Sequence, residues 1–315
     1  MVVGCKIRQR IEVIRGTRTL RYHQVLAMAP FSIVPKSGNM VTNSTNRFPP
    51  DGPSGFQPAR SSLVGIIGGV SVDSTLRFVK KLAECGSDDG EEDGVPFVMC
   101  CDPLLSKNIS SYERSSIPFL SGKCPNPQTD DRSIVEWLRR KRAFLEGSGA
   151  QCVAMPCHIA HSWYDRVADG SSVAFLHMGE CVAKELKEAK LRPLEAGSPL
   201  RIGVLATNTD LTAGFYQQKL QAEGFEVVLP DKATIEHTII PAVEALGRND
   251  IEGAQNLFRI ALQVLFVRAV NTVIIASDDI REVLPADDPL LKKCIDPLDA
   301  LARSTVRYAQ SVGKV

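Results

Sequence analysis

The segment Gln151–His161, QCVAMPCHIAH, holds a thiol and two imidazoles within five residues. The run Cys152–Val153–Ala154–Met155 is short and apolar, as a buried parallel strand is. Pro156 has no N–H for a strand ladder but suits the first turn of a helix. Cys157 is therefore expected at a strand-to-helix junction, where unpaired amides and the helix dipole stabilise a thiolate. The alternative for this side chain is an inert, buried structural cysteine. His161, four residues on, shares the helical face of Cys157 and either tunes the thiol or bonds a backbone carbonyl. Other groups able to bind or move a proton stand at the ends of apolar runs: Ser71 after Gly68-Gly69-Val70, then Asp102, Thr207 and Ser277.

The elements that position these groups follow a repeating pattern from Leu63 onward. LVGIIGG, PFVMCCD, CVAM, SVAFLHM, RIGVLAT, EVVL, TVIIA and KCI read as strands. The helices expected between and after them cover 74–85, 134–147, a segment opening at Cys157, 179–191, 211–223, 234–246, 251–268 and 299–310, while PFVMCCD leads into a polar loop. Strands alternating with helices of ten or more residues imply βαβ units and parallel sheets. In such folds the ligand crevice lies beyond the carboxyl ends of the strands, where all these polar groups converge. Gly65, Gly68 and Gly69 complete no G-x-G-x-x-G, and no acidic ribose partner follows. They read instead as a tight turn that brings backbone N–H groups near a small anionic ligand.

Composition narrows the function classes. A chain of 315 residues with 44% hydrophobic content can bury a sizeable core, and a formal net charge of +1 disfavours nucleic acid or a membrane surface as partner. No run of about 18 apolar residues is present to span a bilayer. The nine cysteines are irregularly spaced, without a CxxC pair, which suggests neither a disulfide framework nor a zinc site. The first 60 residues differ from the rest. Lys6, Arg8, Arg10, Arg15, Arg18, Arg21, Lys36, Arg47 and Arg60 are set against only Glu12 and Asp51, and hydroxyl residues, Pro and Gly dominate from Ser37. That is the composition of an organelle transit peptide, with an ordinary disordered tail as the alternative. GSDDGEEDGV (86–95) reads as a solvated acidic insertion.

GIIGGVSVDST, VAMPCHIAH, IGVLATNTDLTAGFY and CIDPLDALA stand in an order and spacing that resemble the aspartate/glutamate racemase family, its plant branch in particular, over Val64 to Ala309. The resemblance implies an α/β fold of two pseudo-symmetric lobes, each with a parallel sheet flanked by helices and the active site in the cleft between them. The corresponding division is 61–178 for the first lobe, completed by 297–315, and 179–296 for the second. It further implies no cofactor, no metal, a homodimer, and a small dicarboxylic amino acid (aspartate or glutamate) as the bound partner, in a plastid or, failing a transit peptide, the cytoplasm. The chemistry implied is removal of the α-proton from one face and its return to the other, by a cysteine from each lobe. Cys157 stands at the first family cysteine. Thr207 matches a hydroxyl near the substrate, and Arg114 falls where the family carries an arginine that clamps the distal carboxylate, a loop arginine being the alternative. Ser71 either donates to the α-carboxylate or serves the turn alone. Asp296, Asp299 and Glu180 match positions where the lobes meet, read here as helix caps.

Two positions depart from the family pattern. The second cysteine is replaced by Ser277, followed by Asp278, and the Asn-Thr after the first cysteine is His158-Ile159. A serine hydroxyl is a far weaker acid than a thiol and needs an activating group. Cys294 does not replace the missing thiol, since it belongs to a different strand. Three outcomes stay open: a racemase in which Ser277 relays a proton with help from His158 or Asp278; a one-sided enzyme using Cys157 alone, like the family's single-cysteine decarboxylases; and a protein that binds an amino acid without turning it over. For the Arg-rich start, a chain beginning at Ser61 is expected to keep the melting temperature of the full chain. A large drop in calorimetry would mean that residues 1–60 pack on the core.

Overall fold

The computed structural model describes residues 62–69, 71–87, 94–116, 131–191, 193 and 197–312. The Arg-rich start and the centre of the acidic insertion lie outside them. The first half comprises β1 (Val64–Ile67), α1 (Val72–Ser87), β2 (Phe97–Cys100), α2 (Pro103–Ser116), α3 (Arg132–Gly147), β3 (Cys152–Ala154), a 3₁₀ turn (Ile159–Trp163), α4 (Tyr164–Ala168) and β4 (Ala174–Phe175). The second comprises α5 (Met178–Glu188), β5 (Arg201–Leu205), α6 (Thr209–Ala222), β6 (Glu226–Val228), α7 (Lys232–Thr234), a π-helical turn (Ile235–Ile239), α8 (Ile240–Gly247), α9 (Ile251–Val267), β7 (Thr272–Ile275), α10 (Asp278–Val283), a second 3₁₀ turn (Pro289–Lys293), β8 (Cys294–Ile295) and α11 (Pro297–Val312).

The strands form two parallel sheets, ordered β2-β1-β3-β4 and β6-β5-β7-β8. Numbered within its own half, each sheet reads 2-1-3-4, so the halves repeat one topology. Alternation along each strand feeds two layers, as expected of parallel strands buried on both faces. Val64, Ile66, Cys152, Ala154, Ile202, Val204 and Ile274 join one core shared by both sheets, filled by residues of α1, α5, α6 and α11. Ile67, Val153 and Met155 face α2 and α3, whereas Leu205, Val273 and Ile275 face α8 and α9. The C-terminal helix α11 contacts α1, α5 and β3. Among the described residues no helix is long and apolar enough to cross a membrane.

Two expected segments differ. The polar loop after β2 is the helix α2, started by Pro103 and capped by Asp102, whose Oδ1 accepts from Leu104 N at 3.0 Å. Asp102 also pairs with Lys141 at 2.9 Å. The helix expected to open at Cys157 is a five-residue 3₁₀ turn beginning at Ile159, and the Cys157 amide is spent on Met155 O at 2.8 Å. The short turn leaves Cys157 outside the free amides of a helix start, so the expected dipole activation is weak.

The register makes the halves comparable residue by residue. Val64 pairs with Cys152 in the first sheet, and Ile202 with Thr272 in the second. Counting five residues on from each places Gly69 and Cys157 in positions equivalent to Thr207 and Ser277. Gly65 and Gly203 are likewise equivalent, and each admits a close neighbour: a Cβ on Gly65 would lie 3.0 Å from Leu145 Cβ, and one on Gly203 3.0 Å from Val273 Cγ2. Gly69 is tighter still, since a Cβ there would lie 2.2 Å from Cys157 Cβ and 2.6 Å from its Sγ. The glycines are required for close approach. Gly68 does not offer its amide to a ligand, because that amide donates to Cys100 O at 3.0 Å.

Gly69→Ala is therefore expected to destabilise the protein by about 1–3 kcal/mol through overpacking against Cys157. Gly214, in α6 with open space around its Cβ position, is the control: Ala there should stabilise by about 0.5–1 kcal/mol. Denaturant titration of both variants checks the contrast.

Candidate active site

Cys157 and Ser277, at the ends of β3 and β7, line one cavity at the carboxyl edges of the two sheets. From the first half come Ser71, Glu113, Cys157, His158 and Ile159. Thr207, Ala276, Ser277, Asp278 and Asp279 come from the second. Its volume is about 40 Å³, room for about three waters. The space between the two halves is therefore narrow. Bonds across the cleft hold them together: Ser71 Oγ and Ser74 Oγ each reach Glu282 Oε1 at 3.2 Å, and Asn208 Nδ2 donates to Ser116 Oγ at 2.7 Å. Arg77 pairs with Asp278 across the same seam at 3.8 Å.

On the first wall the thiol is buried, at 1% exposure. Its backbone is held by His161: Met178 N donates to His161 Nε2 at 3.1 Å, so the ring proton sits on Nδ1 and donates to Cys157 O at 3.0 Å. Burial pushes this imidazole down to about 3, which keeps it neutral. His161 thus positions Cys157 through the main chain and does not reach into the cavity. Its neighbour His158 does line the cavity; burial pushes it down to about 4, and its Nδ1 lies 3.1 Å from Tyr216 Oη. Although His158 Nε2 is 3.7 Å from Asp278 Oδ1, the neutral ring makes no ion pair there. Ser71 caps α1, accepting from Ser74 N at 3.1 Å.

The second wall carries a chain of hydroxyls. Ser277 caps α10, with Ile280 N at 3.5 Å, and its Oγ lies 3.2 Å from Thr207 Oγ1. Thr207 Oγ1 in turn reaches Glu113 Oε1 at 3.5 Å. Glu113 was not anticipated from the sequence. It projects from α2 into the cavity, while the adjacent Arg114 is exposed and absent from the wall. Burial, then the charges of Asp279 and Asp278, push the Glu113 carboxyl up to about 7. Burial also raises Asp278 to about 7 against the pull of Arg77, and burial with Asp278 beside it raises Asp279. Asp278 Oδ1 is buried without a hydrogen-bond partner.

The remaining expected residues fall elsewhere. Cys294 sits in β8, its Sγ 3.3 Å from Leu290 O, with burial pushing its thiol up to about 12. Asp296 caps α11 through Leu298 N at 3.0 Å and meets Lys81 at 3.5 Å and Arg281 at 3.4 Å. Asp299 also bonds Lys81, and Glu180 bonds Lys219 at 2.6 Å. Among the described residues no group of three or more His, Cys, Asp or Glu side chains is placed to hold a metal ion.

The family described as Asp/Glu/Hydantoin racemase matches residues 67–305. The chain belongs to that family. It is 25% identical over 255 residues to the broad specificity amino-acid racemase RacX of Bacillus subtilis (strain 168), covering 78% of this chain and 96% of RacX. An aspartate racemase homologue from Pyrococcus horikoshii OT3 superposes with a TM-score of 0.58 at 21% identity, over 79% of this chain and 99% of its own. The aspartate racemase of Picrophilus torridus does so with a TM-score of 0.58 at 22% identity, over 79% and 94%. These likenesses establish for this member of the racemase family the α/β fold of two parallel sheets flanked by helices.

The raised carboxyls set a pH dependence. A carboxyl whose pKa is higher folded than unfolded leaves the native chain holding more protons between the two values, so stability falls as pH rises through that window. For Glu113 the window runs from its ordinary 4.5 to about 7. Glu113→Gln is expected to raise the melting temperature at pH 8 and to change it little at pH 4. Thermal scans across that range check the sign, and an E113Q protein less stable at pH 8 would contradict it.

Proposed function

We propose that the protein is a cofactor-independent amino-acid racemase or epimerase in which Cys157 serves one face of the α-carbon and Ser277 the other. The observation that carries this reading is the equivalence of the two side chains: each stands five residues past a paired strand position, in sheets of one topology, and the two enter one cavity from different halves. Two-sided proton transfer needs this arrangement, because the proton leaves one face and returns on the opposite one. Family membership and the resemblance to RacX support the reaction class.

In the forward direction the Cys157 thiolate takes the α-proton, forming S–H and leaving the electron pair on the α-carbon. The Ser277 hydroxyl delivers a proton to the other face and is replenished through Thr207 from protonated Glu113, which ends as carboxylate. The reverse direction begins with Glu113 ionised and Cys157 protonated. A carboxyl near 7 suits both, since at neutral pH each protonation state is populated. A serine alone would be a poor base, and the chain Ser277–Thr207–Glu113 supplies what the hydroxyl lacks. Ser71, whose hydroxyl donates to Glu282 across the cleft, is the donor that turns to the α-carboxylate when substrate binds. Removing one such donor typically costs about 10²–10³ in rate.

The test is α-proton exchange in D₂O followed by NMR, with chiral analysis of the product. Cys157→Ala should abolish inversion. Ser277→Ala should remove two-sided exchange with substrate binding nearly intact, and Ser277→Cys should raise racemisation, because a thiol provides acidity without the relay. Full activity in Ser277→Ala would overturn the two-sided mechanism and leave Cys157 as a lone acid or base. Exchange without inversion in the unaltered protein would do the same.

A further inference from the structure

We propose that the amino acid taken by this site carries a cationic side chain, an ammonium or a guanidinium, and no second carboxylate. The inference rests on the racemase reading of the cavity and departs from the dicarboxylic substrate that the sequence resemblance implies. The charged groups of the wall are all of one sign. Glu113 enters from the first half, Asp278 and Asp279 from the second, and among the described residues neither lysine nor arginine lines the cavity.

The nearby cations do not reverse this balance. Arg77 lies behind Asp278, 3.8 Å from its Oδ1, and is held there across the seam. Arg114, the candidate clamp for a distal carboxylate, is exposed and outside the cavity lining; its charge bears on Glu113 and Asp279, but Glu282, whose charge bears on Asp278 and Asp279, offsets it. The neutral His158 adds no charge. Asp278 is set against Arg77 and Glu113 serves the proton relay, so Asp279 is the carboxylate left for a side-chain cation. Asp279 keeps an exposed edge, so it stands where a long side chain would leave the closed cleft. A second substrate carboxylate would instead meet two or three like charges in a desolvated space, where such juxtaposition is strongly unfavourable. The upward shift of all three carboxyls, to which their mutual repulsion contributes, fits a wall with surplus negative charge.

The experiment compares L-lysine, L-arginine, L-alanine, L-aspartate and L-glutamate in two assays on the full chain: α-proton exchange in D₂O, and the shift in melting temperature that each amino acid produces. Lysine or arginine should exchange at least tenfold faster than aspartate or glutamate and should give the larger stabilisation. Asp279→Asn should narrow the lysine-to-alanine rate ratio several-fold, through KM more than kcat. The affinity for lysine should rise as pH increases through 7, because the cation favours the ionised carboxyls. Aspartate, glutamate or alanine exchanging as fast as lysine would overturn the inference and leave the racemase reading intact. Stabilisation by lysine over aspartate without any exchange would support the charge preference and overturn the racemase reading. Neither exchange nor stabilisation by any of the five would overturn both.

Discussion

The shared register of the two sheets is the constraint on which the site depends. Each half pairs its first strand with its third in parallel, Val64 opposite Cys152 and Ile202 opposite Thr272. A parallel ladder cannot slip by one residue without turning its buried side chains to the wrong layer. The layers here are distinct, a shared inner core against two outer ones, so the register is fixed by packing throughout. Gly65 and Gly203 reinforce it, since each lets a neighbour approach where a methyl would meet it at 3.0 Å. Cys157 and Ser277 owe their positions to this packing.

The same architecture creates an electrostatic problem. Closing the cleft desolvates whatever lines it, and here it gathers Glu113, Asp278 and Asp279 from two helices. Desolvation and like-charge proximity both favour the protonated carboxyl, and two of the three groups are driven to about 7. Such a wall is metastable near neutrality: it can hold protons, release them, or be discharged by a bound cation. Bonds across the seam, among them Ser71 and Ser74 to Glu282, keep it closed in spite of that repulsion.

Much of this fold was legible in the sequence, because parallel strands buried on both faces appear as short continuous apolar runs and amphipathic helices as 3.6-residue periods. LVGIIGG, CVAM, RIGVLAT and TVIIA contain β1, β3, β5 and β7, and Cys157 and Ser277 stand just past the ends of β3 and β7. The helix α2 was not legible. Its sequence, PLLSKNISSYERSS, is rich in serine and buries only Leu105 and Ile109, too few apolar residues to reveal a period. Glu113 was hidden for that reason, and Arg114 was favoured in its place. Neighbours on a helix point about 100° apart, so the turn that sends Glu113 into the cavity sends Arg114 to solvent. The 3₁₀ turn after Cys157 escaped for a different cause: Pro156 suits any helical start, and only the hydrogen bond from Cys157 N to Met155 O shows that the helix begins later.

The equivalence of Gly69 with Thr207 completes the comparison of the halves. Beside Cys157 the partner position must be glycine, because the thiol and its Cβ fill the space. Beside Ser277 the same position holds a threonine, whose hydroxyl lies 3.2 Å from the serine oxygen and 3.5 Å from Glu113. A thiol has the acidity to exchange a proton unaided, whereas a hydroxyl does so only when tied to a stronger acid or base. On the racemase reading, serine at 277 and threonine at 207 therefore belong together: the oxygen that replaces a thiol comes with the second oxygen that connects it to a carboxyl. The thiol side needs no such connection, and a Cβ there would leave Cys157 no room. The asymmetry at these positions is chemical: cysteine stands beside glycine in one half and serine beside threonine in the other, on sheets of one topology.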